Sequence, residues 1–299
     1  MKTLTASIAA ISFLLVMLIQ TTAGARDLEA IKKDGVLRHL GVPYANFITV
    51  DGGLDAELMR LFAEKIGVRY EFVETNWKNV IPDLIGKQIK VNGDKVEMLA
   101  DVPVKGDVIA TGLTVLPWRK QVLDYSAPTF PNQVWLVTAN QSSLHPIQPS
   151  GALQEDIVQT KSLLPGKTVF GVNGTCLDLK LYNLNEAKAI GKIFEGSLND
   201  LAPAVMNGSA DTSLLDVPDA LVALNKWPGQ IKILGPISTK QDMAVGFRKD
   251  MPELQKAFAA FYKEILADGT YRKMVVKYYP DVPFYFPEFL AESSGVTVR

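Results

Sequence analysis

Apolar and polar positions along this 299-residue chain alternate between two periods. Runs of about 10–15 residues with an apolar stripe at helical spacing are separated by short, nearly continuous apolar runs, the layering expected of an α/β protein. Residues 36–41 read as a first strand. Residues 55–66 read as a helix, with Asp55 as a cap, Leu54, Leu58, Leu61 and Phe62 on one face, and Gly67 as a stop. A strand over 69–73 and a helix over 77–85 follow. Residues 87–104 break the rhythm and read as an insertion turning at Asn92-Gly93. A strand over 108–110 completes the first series.

The strand over 133–138 leads out of the first lobe, and the Ser-, Pro- and Gln-rich segment 139–165 opens a second. There the pattern predicts strands over 168–172 and 210–215 and a helix from about Asp178. It also predicts a helix opened by Ser197-Leu198-Asn199-Asp200 and another over 217–226. A strand over 243–247 returns to the first lobe. The helix over 251–268 is the clearest: Pro252 suits its first turn, Leu254, Phe258, Phe261, Tyr262 and Ile265 share one face, and Gly269 ends it. A last helix covers 270–278, and the Pro- and aromatic-rich tail from Pro280 fits no element. The expected architecture is two-lobed, with residues 26–136 and 241–299 in lobe 1 and 137–240 in lobe 2. Two crossing strands make a hinge that permits closure of a cleft.

Residues 1–25 carry Lys2, an apolar stretch from Ile8 to Ile19 and Ala23-Gly24-Ala25, the layout of a cleavable signal peptide and so of an exported, periplasmic protein. The apolar stretch is short for a membrane span, and no later one reaches the roughly 20 residues required. About 275 residues remain, which suits two lobes rather than one core. With 31 Lys and Arg against 32 Asp and Glu, the net charge of −1 gives no basic excess for nucleic acid or an anionic membrane. One cysteine excludes an internal disulfide or a Cys-based zinc site. Two histidines exclude a His-rich metal site and leave little for a Ser-His-Asp triad. No metal, cofactor or catalytic residue is expected.

The candidate chemistry lies in residues 112–130. Arg119 stands five residues after Thr114 on the turn that follows the apolar strand 108–110, and its fork of donors fits a carboxylate in bidentate fashion. A second apolar strand, Ser213-Leu214-Leu215, ends in Asp216. A cation at one strand end and an anion at another suit a zwitterion held between them. Simpler roles stand beside this one: Arg119 could pair with Asp124, Asp216 could cap the helix at Val217-Pro218, and the aromatics could be core.

These segments resemble the periplasmic amino-acid-binding proteins that serve ABC transporters, the extracellular solute-binding family 3. The likeness runs in order through Gly41-Val42-Pro43-Tyr44-Ala45-Asn46-Phe47, Gly53-Leu54-Asp55-Ala56-Glu57-Leu58 and Trp77-Lys78-Asn79-Val80-Ile81-Pro82-Asp83-Leu84. It continues through Gly106-Asp107-Val108-Ile109, Thr114-Val115-Leu116-Pro117-Trp118-Arg119 and Asp124-Tyr125-Ser126-Ala127-Pro128-Thr129. It ends with Gly174-Thr175-Cys176 and the run from Gly208 to Asp216. The resemblance implies a type II periplasmic-binding-protein fold. It implies that Arg119 clamps the α-carboxylate and that Asp216, Thr114 and the backbone near Gly112 take the α-ammonium. It implies further that Thr175 and Cys176, in a turn at a helix N-terminus, offer backbone N–H groups, and that Tyr44, Phe47 and Trp77 line the side-chain pocket.

The chain departs from that pattern at Leu116, Trp118 and Cys176. It also carries Gly41 where members that bind cationic side chains have an acid, which disfavours Arg, Lys or His as ligand. The implied function is capture of an amino acid or similar small carboxylate by a monomer that delivers it to a membrane permease. The alternatives are a cyclohexadienyl (arogenate/prephenate) dehydratase-like enzyme, with Glu195 or Asp178 as the acid, and a ligand-sensing accessory protein.

Overall fold

The structure is a computed structural model and describes residues 26–292; the proposed signal peptide lies outside the described residues. The first lobe opens with α1 (Leu28–Asp34), capped by the Asp27 side chain, and β1 (Val36–Gly41). There follow α2 (Leu54–Lys65), β2 (Arg69–Glu74), α3 (Val80–Ile85), the strands β3 (Lys87–Asn92) and β4 (Lys95–Asp101), β5 (Val108–Ile109), α4 (Pro117–Lys120) and β6 (Leu123–Tyr125). The chain crosses in β7 (Phe130–Asn132) and builds β8 (Val134–Ala139), α5 (Leu153–Lys161), β9 (Thr168–Gly171), β10 (Ile190–Ile193), α6 (Leu201–Met206), β11 (Thr212–Asp216), α7 (Val217–Lys226) and β12 (Ile231–Pro236). It returns through β13 (Gln241–Met243) to β14 (Gly246–Arg248), α8 (Pro252–Ala267), α9 (Thr270–Tyr278), α10 (Val282–Tyr285) and α11 (Pro287–Glu292).

Two five-stranded sheets result, ordered β2-β1-β5-β14-β6 and β10-β9-β11-β8-β12. In the first, β1 is parallel to β2 and β5, and β14 lies antiparallel between β5 and β6. In the second, β8 runs antiparallel to β11 and β12. The crossing strands β7 and β13 pair with each other, antiparallel, outside both large sheets and form the hinge. Val134, Trp135 and Leu136, on the lobe 1 side of the boundary expected at 136, thus lie in an inner strand of the second sheet. All six residues of β8 are buried, so its unbroken apolar run marks an inner strand rather than a connector.

Other expectations shift by a few residues. Gly53, not Asp55, caps α2, and α3 starts three residues later than expected. The helix expected from Asp178 is a four-residue 3₁₀ turn, Leu179–Tyr182. The insertion 87–104 is a two-stranded hairpin that pairs with nothing else, with Met98 and Leu99 exposed. The tail packs across the hinge: Tyr285 meets Trp135 at 5.5 Å, Phe289 meets Phe130 at 6.0 Å, Asn225 donates to Asp281 at 2.8 Å, and Lys240 pairs with Glu288.

One core group carries a pH dependence. His39 on β1 is fully buried, with Nε2 2.6 Å from the Ala110 carbonyl and Nδ1 3.0 Å from the Tyr70 hydroxyl. A carbonyl can only accept, so Nε2 carries the hydrogen and Nδ1 accepts from Tyr70. Burial pushes the imidazole down to about 4. The unfolded chain therefore takes up this proton first as pH falls, and the stability His39 contributes is lost between about pH 6.5 and 4. Urea unfolding at pH 7 and pH 4 is expected to show the native chain losing about 3 kcal/mol more than His39→Gln. Equal losses would show that His39 is protonated in the folded state.

Candidate functional site

The first sheet delivers Arg119 to the cleft. Beyond β5 the chain turns at Gly112, Thr114 bridges to Met243 beside the hinge, and Pro117 starts α4 in its first turn. Arg119, in α4, is only 2% exposed. Its Nη1 donates to the Thr114 carbonyl at 2.9 Å, and its Nη2 reaches across the cleft to the Gly174 carbonyl at 3.0 Å. Its Nε has no partner. The guanidinium carbon lies 5.3 Å from the Trp118 ring centroid and 6.0 Å from that of Trp77. Burial lowers its pKa, the charges that raise it come from Tyr125 and Cys176, and no carboxylate among the described residues forms an ion pair with it. Asp124 does not pair with it.

The second sheet delivers Asp216. It ends β11 and caps α7, accepting from the Asp219 N–H at 3.4 Å. Tyr44, from the first lobe, donates its hydroxyl to Asp216 Oδ1, and the Cys176 thiol donates to Oδ2 at 3.4 Å. Burial pushes Asp216 up to about 6 while these donors oppose the rise. Behind it Asp219 is buried, with Oδ2 unpartnered and its pKa pushed well up by burial and by Asp216. Burial and Asp216 likewise drive the Cys176 thiol upward, so it stays protonated.

Asn132, in the crossing strand β7, ties the two anchors together. Its Nδ2 faces Thr114 Oγ1 at 3.4 Å, Cys176 Sγ at 3.9 Å and Gln241 Oε1 at 3.1 Å, and its Oδ1 accepts from the Val217 N–H at 3.3 Å. Nothing in the spacing of polar residues singled Asn132 out, because it works through strand pairing with a segment about 110 residues later.

Two cavities flank this buried centre, of about 840 and 750 Å³, and share Val91, Trp118, Asn173 and Gly174. Trp77 lines the smaller one with Val42, Ile81, Val172, Phe194 and Leu198, and Thr175 lines the larger. Val91 lies in the hairpin of the insertion, which thus walls both. Phe47, expected in the pocket, packs instead in the first-lobe core against Phe130 at 5.1 Å and Tyr279 at 5.2 Å. Gly112 lines neither cavity: its N–H donates to Asp55 Oδ2 at 2.7 Å, and the Phe47 and Tyr44 rings crowd it. Tyr44, Thr114, Arg119, Cys176 and Asp216 are buried and line neither. The Thr175 hydroxyl is used locally, donating to Val172 O and accepting from Leu177 N. The short 3₁₀ turn behind it gives little of the helix dipole expected there. Of the two acids of the enzyme alternative, Glu195 is exposed and lines the smaller cavity, and Asp178 lines the larger and accepts from the backbone of its own turn. Among the described residues no cluster of three His, Cys, Asp or Glu could hold a metal ion.

Comparison with known proteins gives a consistent picture. The model of the bacterial extracellular solute-binding proteins, family 3, matches residues 103–281. The chain is similar to the octopine-binding periplasmic protein of Rhizobium meliloti, 25% identical over 71% of this chain and 72% of that one. It is also similar to the lysine/arginine/ornithine-binding periplasmic protein of Escherichia coli K12, 25% identical over 79% and 84%. In fold it is similar to a mutant of ArgBP from T. maritima, with TM-score 0.67 and 23% identity over 85% of this chain and 99% of that one. At that identity the likeness shows the architecture alone.

Proposed function

Because the chain belongs to the bacterial extracellular solute-binding proteins of family 3, we propose that it captures an amino acid or similar small carboxylate between its lobes for ABC-type import. The observation that carries this reading is Arg119: a buried guanidinium at the junction of the lobes, with one donor unmet and another held only by the Gly174 carbonyl. A buried charge without a counter-charge costs stability, and a site of that kind persists where a ligand supplies the partner. A carboxylate replacing the Gly174 oxygen would gain charge-assisted bonds. With an apolar body in the cavity beside Trp77, about −8 kcal/mol, or micromolar affinity, is within reach. Closure follows from contacts that exist only when both lobes touch the solute.

The periplasmic names of the relatives support an exported receptor, and no described helix is long and apolar enough to cross a membrane. A cleavable leader, a monomeric state, a separate permease partner and the absence of catalysis complete the reading. Gly41 offers no carboxylate to a cationic side chain, which favours a ligand without one.

The test is Arg119→Met in a thermal-shift screen of amino acids and organic acids. Ligands that stabilise the native protein by several degrees are expected to leave the variant unmoved, with affinity down about 100-fold. The ligand-free variant is expected to melt no lower than the native protein, since an unpaired buried charge has gone. An unchanged ligand shift would refute the carboxylate clamp.

A further inference from the structure

The two anchors differ in what they still lack. At the cationic corner Arg119 Nε is buried without a partner, and its cross-cleft bond is to a backbone carbonyl on an exposed turn, which a ligand oxygen can replace. At the acidic corner both oxygens of Asp216 already have donors, and the unmet atom is Oδ2 of the buried Asp219 behind it. Asp216 receives the Tyr44 hydroxyl, the Cys176 thiol and the Asp219 N–H. Tyr44 is held there by its own lobe: its ring stacks on Phe47 at 5.9 Å, meets Trp77 edge-on at 5.5 Å and lies against Gly112. Its backbone is pinned by the bridge to Ile48. The next residue, Ala45, donates its N–H to Asn199 Oδ1 at 2.9 Å, so the same turn docks on the second lobe twice. Whenever the lobes close, first-lobe packing brings the Tyr44 hydroxyl back to the carboxylate. An incoming ammonium would have to expel a packed aromatic ring to reach Asp216.

Resting on the proposed role of Arg119 in carboxylate capture, we infer that the solute is a carboxylate without an α-ammonium group, a 2-hydroxy, 2-oxo or unsubstituted acid with an apolar body. Tyr44 is the residue that sets this choice, its hydroxyl serving as the built-in donor to the acid. The solute then brings one negative charge to the buried Arg119, and its apolar part enters the cavity of about 750 Å³ lined by Trp77, Ile81, Val172 and Phe194.

Calorimetric titration of the purified protein with matched sets decides it: L-leucine, 2-hydroxy-4-methylpentanoate and 4-methylpentanoate; and L-phenylalanine, 3-phenyllactate and 3-phenylpropanoate. The ammonium-free members are expected to bind about tenfold or more tighter than their amino counterparts. That binding should vanish in Arg119→Met, and in Tyr44→Phe the preference should shrink about tenfold as the acid loses its donor. An amino acid that outbinds its desamino partners in either set overturns this inference while leaving carboxylate capture by Arg119 in place. Binding that survives in Arg119→Met, or no binding of any member, overturns both.

Discussion

Phe130→Ala is expected to lower the unfolding free energy by about 3–5 kcal/mol, the range for emptying a fully buried aromatic site. Phe130 is 0% exposed in the crossing strand β7 and touches three rings: Tyr279 at 4.7 Å, Phe47 at 5.1 Å and Phe289 at 6.0 Å. Those partners come from the end of α9, the turn before α2 and the tail, so one side chain joins the first-lobe core, the hinge and the C-terminal segment. None of the three can follow the vacated ring without giving up other contacts, which keeps the cavity open. Urea unfolding measures the loss. A drop below about 1 kcal/mol would mean that the site collapses freely and that the hinge is not anchored in the core.

Gly53→Ala is expected to cost about 3 kcal/mol or more and to weaken ligand-induced stabilisation at the same time. Gly53 adopts φ +118°, a region closed to other L-residues. A Cβ there would lie 2.2 Å from the Phe47 carbonyl oxygen and 2.9 Å from the Ile48 nitrogen. These are backbone atoms and cannot swing aside, so the turn carrying Tyr44 and Phe47 must shift. Gly67→Ala is the control: φ is +76°, but nothing lies within 4 Å of the added carbon, and a cost of about 1 kcal/mol is expected. Equal costs at the two positions would assign the Gly53 effect to backbone conformation alone.

What could be read along the chain is what short-range physics dictates. The face formed by Leu254, Phe258, Phe261, Tyr262 and Ile265 in α8 is buried as its spacing requires. Asp216 sits at the end of a strand because an apolar run meets Val217-Pro218 there, and it both caps α7 and accepts from Tyr44 of the first lobe. Arg119 and Asp216 are brought to one buried centre around Cys176. The hairpin β3–β4 was hard to see because both of its faces are largely exposed, which erases the period-two alternation. The tail helices α10 and α11 are too short to show a stripe. Phe47 and Gly112 turn into the first-lobe core, whereas Tyr44 reaches Asp216 of the second lobe. Whether an aromatic at a turn points into a cleft or back into its own lobe depends on partners such as Phe130, Tyr279 and Asp216, which lie some 80 to 230 residues away in sequence. Asn132 was missed for the same reason.

The place of β14 bears on how the molecule assembles. Its three residues sit between β5 and β6, so the first sheet stays split until residues 246–248 arrive. A chain emerging from its N-terminus can finish the contiguous second lobe first, while β6 waits with an unpaired edge. Sheet closure then requires joining partners well over a hundred residues apart, the kind of pairing that slows folding. A holdase bound to the chain is most useful in that interval.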